Sequence, residues 1–417
     1  MQEVARYGVG IDVGTAFVRC VVGYVGNDSL IPNVVGVGEA PNTGMRKGMV
    51  VNIVNVAQAI DKALGEAELM SGHQVHAATI SINGAHITAM SSKGVIAVGA
   101  QDHEIIEEDL LRAEEAATVV QLPANREILQ VTPRSYQLDG QENIKDPLGM
   151  SGIRLEVDAH VITALTPHVK NLLKAAEMTE TAPHAVVVSG LAGAHAVLTT
   201  QQMENGVALI DLGGTTTNVV VYEEGDLQHV AVLPVGSVNI TNDLAIGLRT
   251  DLDVAEKIKL AHASAAVHPS KDKAKEIELP YGREKLSFKA KDVDMIVEAR
   301  LEEIMELVDK ELKQIDRSGK LPGGVVLVGG GANLRHVADF AKATLRLPAR
   351  VAKPREFGGV SDKVSKPEFA AALGLMMFDL EKESRASQGG SGKKSGSGPG
   401  LNNFVQRASL LFKKFKI

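Results

Sequence analysis

Aromatic side chains make up only 3% of the 417 residues, and tryptophan is absent. So few rings cannot furnish a base-stacking nucleic-acid platform or an aromatic sugar cleft. A net charge of −7 removes the electrostatic footprint of a general DNA or RNA binder, and no nucleic-acid partner is expected. The single cysteine, Cys20, allows neither an internal disulfide nor a cysteine zinc site. No apolar run reaches the roughly 18–20 residues of a membrane span. The opening MQEVARYGVGID lacks the pattern of a signal peptide, so a cytoplasmic protein is expected. What remains is ordinary globular material, 44% hydrophobic and 23% charged. At this length roughly two to four domains are expected.

Charge is unevenly spread. Residues 393–417 carry Lys393, Lys394, Arg407, Lys413, Lys414 and Lys416 and no acidic side chain. The net −7 therefore divides into +6 on this tail and −13 on residues 1–392. A basic tail on an acidic body points to an anionic surface as the tail's partner.

Strand-like and helix-like stretches alternate along the body, which predicts an α/β fold. Valine-rich strands at 9–13 and 18–25 flank a tight Gly14-Thr15 turn, and a helix is expected over 51–70. Residues 79–165 change character. Short strand-like runs at 78–82, 94–98, 127–133 and 155–164 surround an acidic helix at 104–118, which reads as a small α+β insertion. A helix at 167–180 and a strand at 185–189 follow. The opening pattern then returns in VALIDLGGTTTNVVV, residues 207–221. Aligning Asp12 with Asp211, an offset of 199, sets Gly14 on Gly213, Val21 on Val220 and Val22 on Val221. A duplicated α/β domain accounts for this. Helices are expected at 253–263 and 291–314, and the run 325–332 reads as a strand and glycine turn opening into another helix. The fold is expected to end near 369–380. Residues 384–400, SRASQGGSGKKSGSGPG, have linker composition.

Three glycine turns follow strands: at Gly14, at Gly213-Gly214, and at Gly329-Gly330-Gly331. Glycine there lets backbone N–H groups converge on an anion. An acid just before two of the turns, Asp12 and Asp211, suits a phosphate only if a cation lies between. Magnesium held through water fits. One such turn alone would be a hairpin with an Asx-type turn; three turns with two matched aspartates favour a ligand. Other nucleotide folds fail on particulars. The phosphate-loop signature G-x-x-x-x-G-K-[ST] is absent, and Leu334 stands where a dinucleotide fingerprint needs its third glycine. Val351, about 20 positions on, replaces that fingerprint's acid.

GIDVGT, ALIDLGGTTTNVVVY, DVAEKIK and GGVVLVGGGANL resemble the two phosphate motifs, the ribose-contacting motif and the adenosine motif of the actin superfamily. NIKDPLGMSGIR (143–154), SGLAGAHAVLT (189–199), the stretch 206–248 and VSDKVSKPEFAAALGL (360–375) narrow the resemblance to the bacterial cell-division family FtsA, over about residues 6–380. The resemblance implies an actin-like duplicated nucleotide-binding fold with a small α+β inserted subdomain and a C-terminal amphipathic helix. The implied domains are 1–78 with 166–200, the insertion 79–165, a second actin-like domain 201–383, the linker 384–400 and the helix 401–417. It implies ATP and magnesium as cofactors. Gly14, Thr15, Gly213, Gly214 and Thr215 would meet the phosphates, with Asp12 and Asp211 on the metal side. Glu256 and Lys259 would reach ribose and adenine, although spacing alone makes them an exposed helical ion pair. Gly330, Gly331 and Ala332 would approach the adenosine. Three positions depart from the family pattern. Phe17 stands for a usual lysine, Thr215 for a glycine and Asn218 for an aspartate. These changes favour nucleotide binding without efficient hydrolysis, and no catalytic base can be named.

In the tail LNNFVQRASLLFKKFKI, a helical count of 100° per residue puts Leu401, Phe404, Val405, Ala408, Leu411, Phe412 and Phe415 within an arc of about 120°. Arg407, Lys413, Lys414 and Lys416 flank or oppose that arc; Leu410 and Ile417 are exceptions. A core helix can carry such a stripe, but after a flexible linker and with only positive charge it reads as a membrane-surface helix. The family resemblance implies a division scaffold that polymerises on the cytoplasmic face of the cell membrane. It would anchor FtsZ through that protein's C-terminal peptide, docked on the subdomain containing helix 291–314. Later division proteins would bind through the inserted subdomain. A sugar or acyl kinase of the same superfamily, or a pilus- or shape-type actin homologue, are the alternatives.

Overall fold

The β-branched hairpins anticipated at each end of the 199-residue repeat form, and each nucleates a sheet. The structure, a computed structural model, describes residues 6–26, 31–99, 102–265, 276–281, 284–354 and 357–388. In the first hairpin Arg6–Val13 pairs antiparallel with Phe17–Val25, placing Asp12 opposite Arg19. In the second, Val207–Leu212 pairs with Thr217–Glu223, placing Asp211 opposite Asn218. The register is the same at the repeat offset.

The sheets grow alike. The first runs in the order Ala182–Val188, Ala77–Ile82, Arg6–Val13, Phe17–Val25, Asn33–Pro41, Gly358–Gly359. The second runs Ala349–Val351, Val325–Val328, Val207–Leu212, Thr217–Glu223, Asp226–Leu233. Apart from the last two-residue edge strand, the orders match strand for strand. Leu209 and Val220 face one hydrophobic core while Ile210, Val219 and Val221 face another, as period-2 alternation requires of a sheet covered on both sides.

Two helices tie the halves together. Ser189–Val197 packs against the second hairpin, and Ala370–Gln388 packs on the strands of the first. They cross so closely that a Cβ on Gly374 would lie 1.8 Å from the Ala192 carbonyl oxygen. The buried Asp379 carboxylate, on the second helix, accepts from the Val9 N–H and the Thr79 hydroxyl. Residues 358–388 thus return to the first half, which corrects the second actin-like domain drawn as 201–383. Helix formation to Gln388 also makes residues 384–388 helical rather than linker. The rest of the linker and the amphipathic segment 401–417 lie outside the described residues.

The insertion has its own sheet, ordered Thr88–Ala97, Arg154–Leu165, Arg126–Leu138, Gln141–Ile144, with helix Glu107–Ala117 on one face and a separate core around Leu155, Val157 and Val161. Ala77–Ile82 belongs to the large sheet, so the insertion starts after it, not at residue 79. A strand's alternation cannot say which sheet it joins. The long helix is Ala290–Gln314. After Val325–Val328 the chain makes a 3-10 turn at Gly330–Asn333, and the next helix starts only at Val337.

Candidate functional site

The turns of the two hairpins meet. A Cβ on Gly14 would lie 2.7 Å from the Phe17 carbonyl oxygen, and one on Gly213 would lie 2.8 Å from that of Thr216. Both turns are too tight for a side chain at the same repeat position. The Thr215 hydroxyl donates to that of Thr15 at 2.9 Å, and Asn83 Nδ2 donates to Thr216 Oγ1 at 3.2 Å. These bonds pin one half of the molecule to the other at the base of a cleft of about 480 Å³.

Asp12 and Asp211 line this cleft, each only 8% exposed. Ser81 Oγ donates to Asp12 Oδ1 at 2.8 Å; Asn218 Nδ2 and Ser189 Oγ donate to Asp211 Oδ2 at 3.0 and 3.4 Å. Burial raises the pKa of Asp12. Burial and the neighbouring Asp12 push Asp211 up to about 7, against the opposing pull of Ser189, Asn218 and Arg19. Two desolvated carboxylates supported by hydroxyl and amide donors form a hard-oxygen set suited to magnesium and its waters.

The first hairpin places a cation, Arg19, on the cleft wall two residues beyond Phe17. It lines the cleft, and its guanidinium carbon lies 5.3 Å from the ring centroids of both Phe17 and Phe369. It pairs with Glu39 at 2.6 Å, while its buried Nε has no hydrogen-bond partner. Period 2 along the strand puts residues 17 and 19 on one face, a signal the motif comparison overlooked.

Further out, Glu256 and Lys259 both line the cleft and also pair with each other at 2.7 Å. Lys259 Nζ donates to Thr241 Oγ1 at 2.9 Å, and that hydroxyl donates to Glu256. Gly330 and Gly331 also line the cleft. A Cβ on Gly330 meets nothing within 4 Å, leaving room for a ligand against the backbone; one on Gly331 would collide with Leu212 at 2.9 Å. Ala332 is buried and off the wall, and Thr215 takes part only through its bond to Thr15. Asn218 is fully buried behind Asp211 and does not face the cleft. The sequence reading did not single out Ser81, Asn83, Ser189, Asn333, Arg335 or Glu368 as site residues; they come from a strand end, a helix N-terminus, 3-10 turns and loops outside the hairpin repeat.

Two matching sheets, crossed helices and a cleft between their hairpin turns define an actin-like protein. A chain of the PilM-PilN type IV pilus biogenesis complex shares this fold with TM-score 0.64 and 20% identity, covering 89% of this chain and 98% of its own. MreB5 of Spiroplasma citri bound to ADP follows with TM-score 0.55 and 12% identity, covering 92% and 99%. A family model described as cell division protein FtsA matches residues 208–374, and one described as the SHS2 domain inserted in FtsA matches 84–163. FtsA of Pseudomonas aeruginosa is 35% identical over 378 residues, 90% of each chain. That of Bacillus subtilis is 37% identical over 372 residues, 89% of this chain and 82% of its own. The chain belongs to the FtsA family of cell-division proteins.

Proposed function

We propose that the protein binds ATP with magnesium in this cleft and, in that state, assembles into polymers on the cytoplasmic face of the membrane at the division site. The observation that carries this reading is the meeting of Asp12 and Asp211, each beside its own glycine turn, in one cleft that the open face of Gly330 also lines. The phosphates would lie between the turns at residues 14–15 and 213–214. Magnesium would be held through water by the two carboxylates, neutralising the phosphates. The adenosine would lie against Gly330, near Glu256 and Lys259. The MreB5 neighbour was solved with ADP, and MamK, TM-score 0.50, as a double helical filament.

Turnover would be slow. An amide at 218 cannot take a proton from water, and it is buried away from the cleft. Nucleotide then acts as a structural ligand that favours the assembling conformation by its differential affinity. Among the described residues no helix is long and apolar enough to cross a membrane. Attachment would rest on the amphipathic segment 401–417, with Phe412 and Phe415 in the lipid and Lys413, Lys414 and Lys416 beside its headgroups. One such tail binds reversibly, and a polymer that aligns many tails binds by avidity. The FtsZ C-terminal peptide would dock where the packed helices Ser237–Leu248 and Ala290–Gln314 leave Ile246 and Met295 77% and 46% exposed. Later division proteins would use the inserted subdomain.

Titration calorimetry and liposome co-sedimentation test this reading. Gly330→Asp should abolish ATP binding and leave the melting temperature within a few degrees, since nothing is displaced in the folded protein. Phe412→Glu with Phe415→Glu should release the protein from anionic liposomes with ATP affinity intact. Wild-type affinity in Gly330→Asp would refute the cleft as the nucleotide site.

A further inference from the structure

A second cleft, of about 340 Å³, lies at the seam between the inserted sheet and the second half of the molecule. Its inserted wall carries Ser91, Arg134 and His160; its other wall carries Glu223, Gln228, His229 and Arg317. Both walls are irregular at this place. Asp158 pairs with Ser135 and Ala159 with Pro133, so Arg134 is an extra residue in its strand. Val221 pairs with His229 and Tyr222 with Leu227, so Gln228 is an extra residue in the facing strand. Bulges re-aim side chains and concentrate at functional sites. Here two bulges on different sheets deliver their surplus residues into one cleft.

The polar groups are unequally satisfied. Arg317 is paired with Glu223 at 2.7 Å, His229 with Glu311 at 2.9 Å, and the Gln228 amide donates to the Glu223 carbonyl at 3.2 Å. Arg134 is exposed and has no ion pair among the described residues. His160 is 8% exposed, and its buried Nε2 has no hydrogen-bond partner. Burial, Arg134 and His229 pull that imidazole down to about 4, against the opposite pull of Asp158, so at neutral pH it is uncharged. A buried unpaired ring nitrogen is costly unless a ligand meets it.

We infer that this cleft binds a small molecule bearing an oxyanion group, a phosphate or a carboxylate, held by Arg134, the His160 ring N–H and the Ser91 hydroxyl. A guanidinium with no ion-pair partner among the described residues, beside neutral donors, recognises one anionic group. The remaining volume accommodates a small body attached to it. Because the walls belong to different parts of the chain, and Lys145 pairs with Asp226 across the same seam, the ligand would bridge the insertion to the second half.

The test uses the full chain labelled at histidine ring carbons, titrated with inorganic phosphate, with glutarate, and with sodium chloride at matched ionic strength. His160→Gln and His229→Gln assign the two cleft resonances. The expected result is a saturable shift of both with phosphate or glutarate but not chloride. Whichever anion acts at lower concentration identifies the group. Arg134→Gln should weaken the response at least about tenfold, Arg134→Lys should keep part of it, and an unmoved His195 signal would report an intact fold. Shifts that never saturate, that chloride reproduces, or that persist unchanged in Arg134→Gln would overturn the site.

Discussion

The two hairpins share register, turn geometry and a buried aspartate, yet differ in what faces that aspartate from the neighbouring strand. Opposite Asp12 stands Arg19, a cation; opposite Asp211 stands Asn218, a neutral donor. Duplication therefore preserves the backbone device and lets the electrostatics diverge. Both carboxylates are raised by burial, and Arg19 lowers both. Asp211 has in addition the unfavourable charge of Asp12 behind it. One hairpin brings a positive charge to the cleft, and the other brings a carboxylate whose pKa is raised to about 7.

Breaking this contrast at Asp211 should give the largest effect. A carboxyl moved from 3.8 to about 7 corresponds to on the order of 4 kcal/mol. The raised value means the folded state binds the extra proton, so Asp211 contributes its full stability below about pH 4. That contribution is lost as pH rises through about 7. His86 and His160, both lowered to about 4, act oppositely between about 4 and 6.5, so the useful quantity is a difference. In chelator without nucleotide, Asp211→Asn should gain melting temperature over wild type from pH 5 to about 7 and then level off. A constant difference would show that Asp211 is ionised in the folded protein throughout.

Removing the cation should come next. Arg19→Gln takes away the charge and shortens the side chain but keeps an amide donor. A charge-assisted hydrogen bond contributes about 1.5–3 kcal/mol, so ATP affinity should fall roughly 10- to 150-fold. AMP, with less phosphate charge, should lose much less. An equal loss for both would mean that Arg19 acts only by packing between Phe17 and Phe369.

Much of this contrast was legible in the sequence, and the illegible parts share a cause. The offset of 199 exposed the duplication because hairpin turns are local, and glycine and aspartate are fixed by turn geometry. Which sheet a strand enters is not local. The alternation of 77–82 announces a strand but not its place beside Arg6–Val13, and nothing in 358–388 announces a return to the first half. Arg19 was hidden differently: it lies beyond the glycine turn, and only the strand face it shares with residue 17 brings it to the cleft. Ser81 and Ser189 reach the aspartates only because parallel strands and a helix N-terminus bring them there.

The turns themselves should respond alike, with an effect of middle size. Gly14→Ala and Gly213→Ala each drive a Cβ against a carbonyl oxygen at 2.7 and 2.8 Å. Overpacking of this kind costs about 1–3 kcal/mol. Denaturant unfolding should show both variants destabilised to a similar degree. If one is neutral, its turn has room the other lacks and the hairpins are not equivalent.

The smallest effect concerns Thr215, where the halves touch. Its hydroxyl bonds to that of Thr15, so the two glycine turns are latched to each other. On the proposed binding mode a phosphate entering between them would break that bond, and a neutral hydrogen bond contributes about 0.5–1.5 kcal/mol. Thr215→Val keeps the shape and removes the hydroxyl. ATP should then bind about 2- to 10-fold more tightly, because the cleft opens at lower cost. The Asn83 to Thr216 bond remains as a second tie, which limits the gain. Calorimetry on wild type, Thr215→Val and Thr15→Val separates the possibilities. Equal tightening in both variants identifies the latch. Weaker binding in Thr215→Val would instead make its hydroxyl a phosphate ligand and place the second hairpin, not the first, in charge of the outer phosphates.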